Sequence, residues 1–239
     1  MSAVDAPATG LVAAWEQRSL VQPDWMLQRR EAAMRQFQAV GYPGRKNEWW
    51  RNARLSAVTS ADWHPATVPG PVGGALLATL DGTGTAARAV MVDGLFDEER
   101  TRCAELPVGI RVRSMKACPG GELEADLGAI AQCDDHPFAL LNTALWADGI
   151  VVDVDSDVRL EQPLLLALVA AYGQDGTAIF PRVLVRMQTG AEATIVLMHA
   201  GSDGVRRLVC PVTELRLGAN SRLTLQHLLE EGDDSAHFG

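Results

Sequence analysis

The hydrophobic pattern of this chain changes period once, close to residue 147. Before that point apolar residues follow a helical spacing interrupted by loops. Met26/Leu27, Ala33/Met34, Phe37 and Val40 recur every three to four positions, the stripe of a helix with one buried face. Pro23-Asp24 suits the start of that helix, since proline is tolerated in the first turn and aspartate is favourable there. Gly41 supplies the stop and Pro43 bars continuation. A shorter helical stretch, Leu11 to Leu20, is expected to pack against it. Thr59 to Arg88 is rich in Pro, Gly, Ala and Thr and reads as loops with a short strand near Ala75–Leu80. Ala89 to Phe96 is an apolar run meeting Asp93-Gly94, a strand that enters a tight turn or hairpin. Pro119 to Cys133 reads as helical, with Leu123, Leu127 and Ile130 on one side, and Phe138 to Trp146 continues as an apolar helix or turn.

From Gly149 onward three segments share one grammar: GIVVDVDSDVRLEQPLLLALV, RVLVRMQTGAEATIVLMHA and PVTELRLGANSRLTLQHLLEE. Each is an alternating β run, a short polar or glycine-containing turn, and a second β run. Val183/Val185 and Thr194/Val196 alternate as strands with one inward face do. The turn glycines Gly190 and Gly218 lie roughly thirty residues apart, the spacing of a repeat architecture. The fold expected is mixed α+β: an N-terminal helical and mixed subdomain over residues 1–146, then the first rungs of a right-handed β-helix (β-solenoid) over residues 147–239. A flat sheet or sandwich is the plainer alternative. In a solenoid each rung buries its faces only by stacking on a neighbour. The third rung runs to His237-Phe238-Gly239 without a polar cap, so its edges call for a partner, a second copy or further chain.

Composition narrows the function classes. The chain has 239 residues and a formal charge of −9, enough for a sizeable core and too acidic for nucleic acid or an anionic membrane as main partner. MSAVDAPATG carries neither a basic nor an apolar secretory segment, and no run approaches a membrane span. Cys103, Cys118, Cys133 and Cys210 include no C-x-x-C pair, so a reduced, cytoplasmic protein without a zinc ribbon is expected.

The sequence holds no phosphate loop, no G-x-S-x-G elbow and no H-E-x-x-H, so no catalytic or cofactor-binding residue is assigned. Asp134-Asp135-His136 and Asp233-Asp234 read as solvated turns before they read as metal ligands. Cys210 heads a predicted strand near His199 and His227 on neighbouring rungs; stacked, the three would make a mixed thiolate–imidazole site for iron or zinc. The plainer reading is that Cys210 is a small buried hydrophobe and the histidines face solvent. Glu192, Glu214 and Glu230 lie on or near rungs. If they converged in a cleft, the chain would read instead as a β-solenoid carbohydrate-active enzyme or sugar-binding module. The stretch GYPGRKNEWWRNARL, Gly41 to Leu55, concentrates basic residues and two tryptophans in an otherwise acidic, aromatic-poor chain. Trp49 and Trp50 cannot both face one way on extended chain. One is expected to plug the helical part and the other to cover the solenoid entrance. Arg45, Lys46 and Arg51 would flank Glu48 as surface pairs, which makes the Arg45–Arg51 cluster a structural staple.

Several stretches together resemble the SufB/SufD family, and its SufD branch in particular. Gly41-x-Pro43-x-Arg45-Lys46-x-Glu48, followed by Trp50-Arg51, is similar to that branch's N-terminal signature. Val90–Phe96 (VMVDGLF), Phe138–Gly149 (FALLNTALWADG), Leu160–Leu164 (LEQPL) and Pro181–Val185 (PRVLV) follow in the family's order, as do the turns at Gly190–Thr194 and Leu217–Leu223. Asn52 and Ala53 depart from the family's Tyr and Ser/Thr, and Trp49 from a common acidic residue. The resemblance runs from about Gly41 to the end and covers the first half or so of the family's usual length. It implies a non-enzymatic scaffold subunit of the SUF iron–sulfur cluster assembly complex. The partners implied are a SufB-like paralogue met through the solenoid and a SufC-like ATPase met through a C-terminal helical domain that this sequence does not contain; a homodimer is a further possibility. The cluster would be assembled in the complex, on Cys and His residues in the part of the family pattern beyond this sequence.

Overall fold

The structure is a computed structural model that describes residues 9–18, 22–44, 48–53, 55–59, 61–82, 85, 87–131, 136–171 and 173–239. In chain order it runs α1 (Thr9–Glu16), α2 (Asp24–Val40), a 3-10 turn at Glu48–Trp50, α3 (Ser56–Thr59), β1 (His64–Pro65), α4 (Gly74–Gly82), β2 (Ala87–Val92), β3 (Leu95–Arg102), β4 (Ile110–Ser114) and α5 (Pro137–Leu145). Nine strands follow: β5 (Gly149–Val154), β6 (Leu164–Ala170), β7 (Thr177–Ile179), β8 (Arg182–Met187), β9 (Glu192–Gly201), β10 (Arg207–Val209), β11 (Val212–Leu217), β12 (Arg222–Glu230) and β13 (Ser235–His237).

These nine strands are dealt in strict rotation into three mostly parallel sheets, ordered β11-β8-β5-β4, β12-β9-β6-β2-β3 and β1-β7-β10-β13. The chain therefore makes three circuits of the same three sheets. Arg182 pairs with Val212, Glu192 with Arg222 and Thr177 with Arg207, each a step of thirty residues, while the other steps run from 28 (β10 to β13) to 33 (β5 to β8). The N-terminal residues edge the first circuit: β4 lies antiparallel on β5, β2 parallel on β6 with β3 antiparallel beyond it, and β1 parallel on β7. β6 is an unbroken apolar run because both its faces are covered. Leu164, Leu166 and Leu168 meet Ile195 and Leu197 inside, while Leu165, Ala167 and Val169 lie under Leu76 and Leu80 of α4. The outer face of the β4-β5-β8-β11 sheet is ionic: Arg111, Asp153, Arg186 and Arg216 stand in register, bridged by Glu122 and Asp126.

The corners of the circuits share a backbone device. Asp157, Gly190 and Asn220 all have positive φ, and Asp157 N–H donates to Thr189 O while Gly190 N–H donates to Ala219 O. The position equivalent to Gly190 in the next circuit is thus Asn220, not Gly218. Aspartate, asparagine and glycine are the residues that accept this conformation.

Several expectations hold locally. α2 begins after Pro23 and ends at Gly41, whose φ is 66°. Asp93 (φ 51°) and Gly94 (φ 80°) make the hairpin turn between β2 and β3. α5 spans the second apolar helix, with His136 as its N-cap. Leu11 of α1 shares one core with Ala33, Met34 and Phe37 of α2.

Others are corrected. Ala75–Leu80 is helix α4, not strand: Leu76 and Leu80, one turn apart, form the face that packs on the sheet, and the intervening Ala and Leu favour helix. Pro119–Ile130 is a chain of tight turns rather than a helix, with Glu122, Asp126 and Ala129 N–H each reaching back three residues. Gly120, Gly121 and Gly128 weaken helix there, and the Gly128 and Ala131 amides are taken by Glu214 instead. Leu27 and Val40 of the predicted stripe are exposed, and Arg30 is buried in their place. It donates to Ala144 O and Trp146 O and lies over the Trp146 ring at 4.2 Å. Among the described residues no helix is long and apolar enough to cross a membrane.

Candidate metal centre

The third strand of each circuit is only three residues long, and it delivers the chemistry. β13 places His237 in register with Val209 of β10, itself in register with Ile179 of β7. β9 presents His199 on the face it shares with Ile195 and Leu197, so the imidazole points into the interior. β12 carries His227, and the chain leaving it carries Glu231. The His199 ring lies 4.9 Å from that of His227 and 4.7 Å from that of His237, centroid to centroid. Glu231 Oε1 is 3.1 Å from His237 Nδ1 and 3.9 Å from His199 Nδ1. His199, Glu231 and His237 each offer a donor atom within 4.8 Å of the other two.

His199 is fully buried, and neither of its ring nitrogens has a hydrogen-bond partner among the described residues. Nδ1 of His237 is likewise without one, for all its closeness to the carboxylate. Leaving a buried polar atom unpaired costs about 1–3 kcal/mol, so the three orphaned nitrogens ask for an explanation. Burial, helped by His237 and His227, pushes the His199 pKa down to about 3. The imidazole is therefore neutral at physiological pH, with a lone pair free. His227 is shifted down as well, by burial first and then by His237. Glu231 also lines a small pocket with Leu168, Ala170, Ile179 and Val209. Neutral imidazoles and one carboxylate are a donor set for a borderline divalent ion.

Of the residues singled out in the sequence, His199 and His227 do meet. Cys210 does not join them: it is buried in the core with Phe138 and Leu208, and its carbonyl accepts from Asn142 Nδ2. Burial, with Glu231 adding to it, holds its thiol well above the ordinary value, so it stays protonated. His237 escaped sequence reasoning because β7, β10 and β13 are too short to alternate, and Glu231 because it lies in the connection between β12 and β13.

The carboxylates of the carbohydrate reading do not converge. Glu214 is fully buried against Arg182 at 2.8 Å and accepts from the Gly128 and Ala131 amides, while Glu192 pairs at the surface with Arg159 and Arg222. Asp233 and Asp234 are exposed turn residues, and Asp134 and Asp135 lie outside the described residues. Cys103, Cys118 and Cys210 are free thiols; Cys133 lies outside the described residues. Cys118 lines a cleft of about 170 Å³ with Trp25, Arg30, Lys116 and Trp146, but burial raises its thiol too.

The tryptophan stretch is a staple on one side. The Trp50 ring packs on His136, Phe138 and Phe238, and Phe238 stacks on Phe138 at 4.0 Å, so one indole ties the N-terminal unit to the last circuit. Arg51 pairs with Glu48 at the surface. Arg45 and Lys46, like the Trp49 side chain, lie outside the described residues.

Comparison with known proteins follows the chain from one end of this architecture to the other. The pattern described as "SufBD protein N-terminal region" matches residues 16–166, and that described as "SUF system FeS cluster assembly, SufBD core domain" matches residues 169–239. A protein of Synechocystis sp. (strain ATCC 27184 / PCC 6803 / Kazusa), named as an iron-sulfur cluster assembly SufBD family protein, is 25% identical over 228 residues. The match covers 89% of this chain and 49% of the relative, so the chain spans about half the relative's length.

Proposed function

Because the chain belongs to the SufBD family of SUF-system iron–sulfur cluster assembly proteins, we propose that it is a scaffold subunit of a cytoplasmic SUF complex, without catalytic activity of its own. The observation that carries this is the ordered match of both family regions, which together run from residue 16 to residue 239. The three circuits are the first rungs of a right-handed β-helix, a reading supported by their strict rotation through three mostly parallel sheets. The Gly41–Arg51 signature supports the SufD branch.

The partner surface is the last circuit. Among the described residues β11, β12 and β13 are each paired on one side only, and Leu217, Leu225, Leu228 and Leu229 are 38–61% exposed there. Open strand edges beside exposed leucines suit continuation by another solenoid, and a SufB-like paralogue is the partner this favours. A SufC-like ATPase would dock on a part of the family architecture beyond these residues, and the cluster would be built in the assembled complex. Co-expression with a SufB-like protein and a SufC-like ATPase, followed by size exclusion with light scattering, tests this. Co-elution with the paralogue is expected. Elution of the chain by itself, as monomer or homodimer, refutes docking through these circuits.

A further inference from the structure

We propose that His199, His237 and Glu231 bind a single ferrous ion, with His227 as a fourth donor at the rim. The choice of iron rests on the reading that this chain serves iron–sulfur cluster assembly; the site itself rests on geometry. Two imidazoles and one carboxylate, with positions left open, are the donor set that suits non-haem ferrous iron. No thiolate belongs to the group, which fits a bare ion and not a finished cluster.

The three donors lie within 4.8 Å of one another. Donors sharing one ion at about 2.1 Å stand about 3–3.5 Å apart, so side-chain rotations of about an ångström close the site. A bound ion also accounts for what is otherwise unexplained: a fully buried histidine with both nitrogens unpaired, and a second histidine aimed at a carboxylate it does not hydrogen-bond. His227 is exposed on the last circuit, which gives the ion a way in from solvent. Arg207, held by the Ser202 and Ala171 carbonyls, lies within electrostatic reach of Glu231.

The test is an anaerobic titration of the purified chain with Fe(II), with retained iron measured by a chromogenic chelator after gel filtration. One equivalent is expected. Glu231→Gln, His237→Gln and the surface variant His227→Gln are each expected to weaken binding, the first two about tenfold or more. Cys210→Ala is expected to bind as the parent does. Circular dichroism and urea unfolding check that each variant folds, and visible absorption of bound Co(II) reports the ligand set independently. The proposal is overturned if the parent retains no stoichiometric iron, if Glu231→Gln and folded His237→Gln bind like the parent, or if Cys210→Ala abolishes binding. Repeating the co-elution assay with Glu231→Gln separates the two readings. Lost iron in the variant with co-elution intact bears out the site, whereas iron bound by a parent that elutes alone refutes only the scaffold reading.

Discussion

Replacing Glu214 by alanine should destabilise the chain more than any other single carboxylate substitution on the three circuits. The side chain is 0% exposed and its partner Arg182 1%. Both carboxylate oxygens are occupied: Oε2 accepts from Arg182 Nη2 at 2.8 Å and Nε at 3.2 Å, while Oε1 accepts from Gly128 N–H at 2.8 Å and Ala131 N–H at 3.1 Å. Nη1 of Arg182 goes on to Asn142 and Thr143, so the guanidinium is fixed in place. Removing one partner of a buried ion pair costs about 3–5 kcal/mol, because the other charge stays buried. Two backbone amides also lose an acceptor, at about 1–3 kcal/mol each before water enters the space. A loss of at least about 3 kcal/mol follows. With a urea slope of about 2–3 kcal/mol/M, the unfolding midpoint falls by about 1–1.5 M. Adding Arg182→Met to Glu214→Ala should cost less than the sum of the two single losses, since the stranded charge is then gone. Equilibrium urea unfolding followed by circular dichroism measures all three variants. A Glu214→Ala midpoint within about 0.3 M of the parent would show that the turns after Pro119 are not held to the circuits by this pair.

Gly190→Ala should cost about 1–3 kcal/mol by thermal or urea unfolding, because φ is +71° and an added Cβ meets the Asp157 carboxylate. Asn220→Gly, at the equivalent corner, should stay within about 1 kcal/mol of the parent, and equal effects at the two sites would refute the corner device. Acid stability should report Glu122, whose pKa falls from 4.5 to about 2 through hydrogen bonds from Arg113 and Arg186. Its ionised form is favoured by folding, so its contribution is present above pH 4.5 and lost as pH falls towards 2. The stability gap between the parent and Glu122→Gln should narrow over that window; a gap of constant size contradicts the assignment.

How much of this was legible in the sequence depended on local cause. α2 could be read to within a residue because Pro23 and Gly41 punctuate it, and the β2–β3 turn because Asp93-Gly94 allows few backbone conformations. Two strands of each circuit were visible through alternation and the polar corners between them. The third was not, since TAI, RLV and SAH are stabilised by their stacked neighbours and carry no pattern of their own. That one omission hid most of the candidate site: His199 and His227 could be brought together by stacking β12 on β9, but His237 is placed by β13 and Glu231 by the bend that leads to it. Cys210 was read first as a small buried hydrophobe and only second as a ligand, and its strand-end position does turn it into the core. α4 was misread because Ala and Leu suit either state, and the sheet beneath them decided. The turns after Pro119 were misread because Leu123 and Leu127 keep helical spacing while a distant carboxylate, Glu214, claims the amides a helix would have used.

The stacking of strand on equivalent strand has a consequence for how such a chain can lengthen. From one circuit to the next, equivalent residues are 33 apart between β5 and β8, 30 between β8 and β11, and 28 between β10 and β13. The differences are taken up in the connections, since a single residue added within a strand would send every following side chain to the opposite face. Growth and loss of material therefore come in whole turns of the coil, with small adjustments confined to corners. Each added turn closes a loop of about the same size and meets only the turn before it, so its entropic cost does not rise with the length already built. Size in this architecture is a count of similar steps, and two homologues of very different mass can share the same local rules of assembly.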